Sequence, residues 1–242
     1  MITGHSLGGA TASLSTLWLL SQLQQVSASP SLLCITFGSP LLGNDALTRA
    51  ILRERWGANF CHVAAKHDLM PRLLFAPSAT LTPQMRLLLQ HWHSSMSGSP
   101  SSDAAAAALL GDQAGAVGFF GAVVASLERL SSCGGAGESL FWPFGNYLLF
   151  SREGAVCLDD AACVVKMMYL MLVTGFSPGD CIDDHLNYGE YVARVPLHYL
   201  KQSSFDRSEL PKTCYEAGLT LAIQSTGIPS QVLLKTKKNV TY

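Results

Sequence analysis

The stretch Gly4-His5-Ser6-Leu7-Gly8-Gly9, close to the start of a 242-residue chain, sets a serine between glycines in the pattern G-x-S-x-G. A serine hydroxyl is a weak nucleophile at neutral pH. It becomes effective when a base takes its proton and an acid orients that base. Gly4 and Gly8 lack the side chains that would collide in a strained strand-to-helix turn, and Gly9 permits close packing of the helix that follows. Such a turn presents the Ser6 hydroxyl at a helix N-terminus. There the Leu7 backbone N–H would be one donor of an oxyanion hole, aided by the helix dipole.

Where a turn of this kind works, the partners follow in the order Ser, then Asp or Glu, then His. Asp68, in KHDLMPR, comes just after the apolar run FCHVAA, at a strand end where loops carry chemistry. The competing reading is an Asp that caps the turn before Pro71. Seven histidines compete for the role of base. His5 packs beside the turn, His62 sits within a strand, His67 adjoins Asp68, and His91 and His93 precede a stretch of different composition. His185 and His198 satisfy the order. His198, in RVPLHYL, is embedded among apolar residues like a core histidine, whereas His185, in DDHLNYGEY, starts a polar loop before an aromatic pair. The residues assigned are therefore Ser6, Asp68 and His185, with Leu7 as oxyanion donor.

The elements that must hold these residues can be read from apolar spacing. GGATASLSTLWLLSQLQQ places Ala10, Leu14, Leu17, Trp18, Leu20 and Leu23 on a helical stripe leaving the serine turn. SLLCITFGSP and FCHVAA are short continuous apolar runs, as expected of strands buried on both faces in a parallel sheet. FWPFGNYLLFSREGAVCLDD reads as a hairpin turning near Arg152 to Gly154, with Asp159 or Asp160 capping the next helix. SELPKTCYEAGLTLAIQS reads as helix again. Three segments follow from composition: 1–95 as the first part of the domain, 96–137 as an Ala/Gly/Ser-rich insertion forming a peripheral helix over the site, and 138–242 as the second part. The apolar run from Ala114 to Leu127 is shorter than the roughly 20 residues a bilayer requires, so no transmembrane span is expected.

With 48% apolar residues the chain can bury one substantial core. Sixteen basic residues against seventeen acidic ones leave no field to attract nucleic acid. Seven scattered cysteines without CxxC spacing fit a reduced, cytoplasmic or nuclear protein, and no metal or cofactor is called for.

In that order, GHSLGG, ITFGSPLLGN, HDLMPRL and HLNYGEY resemble the signature blocks of class 3 (fungal-type) lipases. Within that superfamily, LWLLSQ, CITFGSPLLGN, FCHVAAKHDLMPRLL, FWPFGNYLLFS and GAVCLDDA resemble the plant lipase-like immune regulators. The resemblance covers most of the chain outside 96–137. It implies a partial α/β-hydrolase fold, a largely parallel sheet with flanking helices, and a triad on Ser6, Asp68 and His185. It further implies a scaffold or heterodimer role in plant defence signalling, in nucleus and cytoplasm, opposite a lipase-like family member of the enhanced disease susceptibility type, with an acyl ester or small molecule as ligand. The alternative it implies is an active acyl-ester hydrolase working through an acyl-enzyme on Ser6. Against the family pattern, the chain lacks the lipase segment before the serine, with its strands and second oxyanion donor, and the helical domain that follows. A truncated chain with little esterase activity of its own is the expectation.

Overall fold

Five short apolar runs form one sheet in chain order: β1 (Ile2–His5), β2 (Cys34–Phe37), β3 (Phe60–Ala65), β4 (Asn146–Phe150) and β5 (Ala155–Leu158). The first four are parallel and β5 returns antiparallel to β4 through the expected hairpin. A mostly parallel sheet with flanking helices is thus the architecture, as in part of an α/β hydrolase. The computed structural model describes residues 1–23, 32–77, 79, 113–133, 139–175, 178–193 and 214–229. His91, His93, His198 and both ends of the 96–137 stretch lie outside the described residues.

Helices α1 (Leu7–Leu23), α2 (Asp45–Arg53), α3 (Gln113–Cys133), α4 (Ala161–Val173) and α6 (Cys214–Ser225) pack in the two apolar clusters on one face of the sheet. One cluster joins Ala12 and Leu20 of α1 and Ile51 of α2 to Cys34 and Phe60. The larger one gathers α3, α4 and α6 over Ala64, Tyr147 and Leu149. On the opposite face Val63, Ala65 and Phe150 are covered by Tyr188 and Tyr191, which follow α5 (Pro178–Leu186). Local caps fix two starts: the Asn44 side chain accepts the Ala46 and Leu47 N–H groups at α2, and Asp160 accepts the Cys163 N–H at 2.7 Å at α4. Of the two capping aspartates expected for α4, Asp160 is the one used.

Two expectations are corrected. The apolar stripe read along α1 is buried only in its second half, where Leu20 is buried and Leu17 packs against the same cluster. Gly9, Ala12, Ser13, Thr16 and Leu20 face inward, while Leu14 and Trp18 are 57% and 63% exposed. The cause is distance. The tight turn into α1 brings the helix so close to the sheet that a Cβ on Gly9 would stand 2.7 Å from Ser39 Cβ, leaving room only for small residues over most of the inner face.

The second correction concerns the stretch read as a peripheral insertion. Its helical part, α3, carries Val123, Leu127 and Leu130 at i, i+4, i+7 spacing, and all three are buried against α4 and the 3-10 segment Met70–Phe75 in the larger cluster. The Ala/Gly/Ser composition concealed this stripe. Leu127→Ala, at a site with no solvent exposure, should lower the unfolding free energy by about 2–5 kcal/mol in a urea titration. A change within about 0.5 kcal/mol, typical of surface positions, would return α3 to the periphery.

No helix among the described residues is long and apolar enough to cross a membrane.

Candidate active site

Ser6, Gly38 and Asp68 all lie just past the C-terminal ends of adjacent parallel strands, the edge at which open α/β sheets bind ligands. Ser6 has φ 55, one of two non-glycine residues with positive φ among those described. That is the strained turn expected of a nucleophile elbow. Its N–H is held by Phe37 O at 2.9 Å, and its carbonyl accepts the Gly9 N–H at 2.9 Å as α1 begins. The turn requires Gly4, where a Cβ would stand 2.2 Å from Gly8 O, and Gly9, for the contact with Ser39. It does not require Gly8: a Cβ there meets nothing within 4 Å, which corrects the reading of Gly8 as a collision point. Leu7 is the first residue of α1, so its N–H has no intrahelical acceptor and remains available to a ligand oxygen.

Asp68 and His185, the two residues assigned from the sequence as acid and base, meet directly. His185 Nδ1 is 3.0 Å from each oxygen of Asp68, so the ring donates from Nδ1 and keeps the Nε2 lone pair free to accept a proton. Asp68 is fully buried. Two further donors converge on its carboxylate, the Tyr188 hydroxyl at 2.6 Å and the Met70 N–H at 2.8 Å, which offsets the cost of burying the charge. Burial first, and then the Asp68 carboxylate, push the Tyr188 phenol well above its ordinary pKa, so it stays a donor. The same hydroxyl accepts the Ala65 N–H at 3.0 Å, tying Asp68 to the end of β3.

The residue before Ser6 contacts this pair. His5 Nε2 donates to the His185 carbonyl at 2.8 Å, and the two imidazole rings lie 4.5 Å apart. Among the described residues no hydrogen bond joins the Ser6 hydroxyl to His185.

Residues 1–77, which hold Ser6 and Asp68, match the family described as Lipase (class 3). The chain is similar to class 3 lipases over these residues, and to plant lipase-like proteins over most of its length. It is 34% identical to Lipase-like PAD4 of Arabidopsis thaliana over 229 residues, 94% of this chain and 29% of that protein. To Protein EDS1 of the same plant it is 26% identical over 212 residues, 79% of this chain and 33% of that one. Senescence-associated carboxylesterase 101, also from Arabidopsis thaliana, is 40% identical over 80 residues, 33% of this chain and 14% of its own length. The lipase-like chain therefore spans about a third or less of the length of these relatives.

Sequence reasoning gave no role here to Tyr188 or Arg72, and missed one contact of His5. Tyr188 had a signal, since it belongs to the aromatic pair that follows His185 in HLNYGEY. Arg72, with no solvent exposure, donates through Nε to Met168 O and through Nη1 to Ala65 O at 3.1 Å each, and also to the Asp68 carbonyl. Nothing in the sequence announces that a loop arginine will be buried. His5 was expected beside the turn, but its bond to the His185 backbone depends on tertiary structure alone.

No group of His, Cys, Asp and Glu among the described residues forms a metal-binding cluster.

Proposed function

We propose that the chain is a lipase-like protein of plant defence signalling. Its fold serves as scaffold and heterodimer partner for a lipase-like protein of the EDS1 type, in nucleus and cytoplasm, and Ser6, His185 and Asp68 stand as nucleophile, base and acid. The observation that carries this reading is the fully buried Asp68 carboxylate bonded to His185 Nδ1, beside a serine held at φ 55. The similarity to PAD4 and EDS1 supports the partnership. On this reading the site persists as part of the fold, and a bound acyl ester or small molecule is its ligand.

A second reading, acyl-ester hydrolysis, is favoured by the Nδ1 tautomer, which leaves Nε2 as the base. In that chemistry Ser6 Oγ attacks the ester carbonyl while His185 takes its proton. The imidazolium then protonates the departing alkoxide; water attacks the acyl-enzyme and gives a proton to His185, and that proton passes to Ser6 Oγ as the Ser6–acyl bond breaks and the acid is released. Leu7 N–H would face the developing oxyanion.

Short-chain ester turnover by purified protein, compared with Ser6→Ala, separates the two. The scaffold reading expects equal rates from the two proteins and retained binding of an EDS1-type partner by both. Turnover lost by a factor of about 10³ or more in Ser6→Ala would establish the hydrolase instead.

A further inference from the structure

His67 and Asp68 are neighbours on the loop after β3, and Asp184 and His185 are neighbours on α5. The two pairs are bonded crosswise. Asp68 receives His185 Nδ1 at 3.0 Å, and one residue away the Asp184 Oδ2 receives the His67 backbone N–H at 2.8 Å. Each carboxylate also receives a tyrosine hydroxyl from the residues that follow α5: Tyr188 for Asp68 and Tyr191 for Asp184. Asp184 is 6% exposed, so a charged group has been taken out of water to make this second contact.

We propose that Asp184 is a positioning residue that fixes the approach of His185 to Asp68. The proposal rests on the reading of Asp68 and His185 as acid and base. The imidazole–carboxylate bond by itself would let α5 pivot, because the imidazole can turn about two side-chain torsions while keeping the bond, and the His5 bond to the His185 carbonyl restrains the helix only from the side of the serine turn. The Asp184 carboxylate grips the loop backbone next to Asp68 itself, from a residue turned about 100° around the helix from His185. Two bonds on adjacent residues define the helix's distance and also its rotation. His185 therefore presents Nε2 in one direction. The outer side of the clasp borders a polar cavity of about 170 Å³ lined in part by His67, Asp180 and Asp184, while the residues after α5 are packed on the sheet through Tyr188 and Tyr191.

The test reads the His185 N–H itself. In the full chain with ¹⁵N-labelled histidine, a strongly downfield imidazole proton that disappears in Asp68→Ala reports the His185–Asp68 bond. Asp184→Ala should abolish or exchange-broaden that signal while far-UV circular dichroism is retained. Asp184→Asn should restore it, because the amide oxygen still accepts the His67 N–H and the amide nitrogen can donate to the Tyr191 oxygen. A general stability defect predicts no such rescue. If Asp184→Ala fails to fold, Tyr191→Phe decides: it removes one donor to Asp184 and should broaden the signal. An unchanged signal in Asp184→Ala, or in Tyr191→Phe where that variant decides, would overturn the proposal, as would a wild-type spectrum without the signal. Absence of Ser6-dependent ester turnover would defeat the hydrolase reading alone, since the proton signal does not depend on turnover.

Discussion

Gly4→Ala should leave a chain that melts far below the wild type, or one that does not fold at all, while Gly8→Ala in the same motif should be neutral or mildly stabilising. At Gly4 the added carbon would lie 2.2, 2.5 and 2.7 Å from Gly8 O, Gly8 C and Gly9 N. These are backbone atoms of the first turn of α1 and cannot rotate aside as a side chain would. Relief requires moving the helix away from β1, which breaks the elbow and opens the small-residue face of α1. The cost is on the order of 3 kcal/mol or more, equivalent to roughly 6–12 °C in melting temperature for a domain of this size. At Gly8 the new methyl meets open space in a helical position, where alanine is favoured over glycine by roughly 0.5–1 kcal/mol. Thermal unfolding of the two variants side by side is the measurement. Similar melting temperatures would mean that the turn does not pack as described.

Gly38→Ala should dismantle the site. Gly38 has φ +55, which already penalises a residue with a Cβ by roughly 1–2 kcal/mol. The larger effect is local: the methyl would stand 2.5 Å from Asp68 Oδ2, 2.9 Å from His185 Nδ1 and 2.9 Å from the Tyr188 ring. Asp68 cannot retreat, because its oxygens are held by His185, Tyr188 and the Met70 N–H. The expected result is loss of the downfield His185 proton together with a lowered melting temperature. A variant that keeps the proton signal would show that the pair can shift intact, and that Gly38 is glycine for its backbone angle alone.

Much of this arrangement was legible before any coordinates, and the parts that were not share a physical cause. CITF and FCHVAA became strands because continuous apolar runs of this length suit a parallel sheet, and the FGNYLLFSREGAVCL hairpin followed from its turn residues. The pairing of Asp68 with His185 followed from order along the chain and strand-end placement. The inner face of α1 was read only in part because hydrophobicity was taken as the sign of burial. There the quantity that decides is side-chain volume, and Ser13 and Thr16 go inward ahead of Leu14 and Trp18. Within α3, alanine and glycine masked a three-residue stripe. Asp184 and Arg72 were beyond reach for another reason: each satisfies backbone groups of a distant segment, and backbone groups carry no sequence signature.

The arginine has one further consequence. Arg72 is a buried cation whose acceptors are carbonyls from three places, the end of β3, the turn at Asp68 and the middle of α4. If any one of those segments swung outward, the guanidinium would lose an acceptor in a medium where no water replaces it, and Nη2 already has no hydrogen-bond partner. Partial opening around the acid is thus penalised far more than its contact area suggests. Strand end, loop and helix should exchange their amide hydrogens as a single cooperative unit, at rates set by global unfolding. The surroundings of Asp68 behave as part of the protein's foundation. Any local breathing at this edge of the sheet has to come from elsewhere.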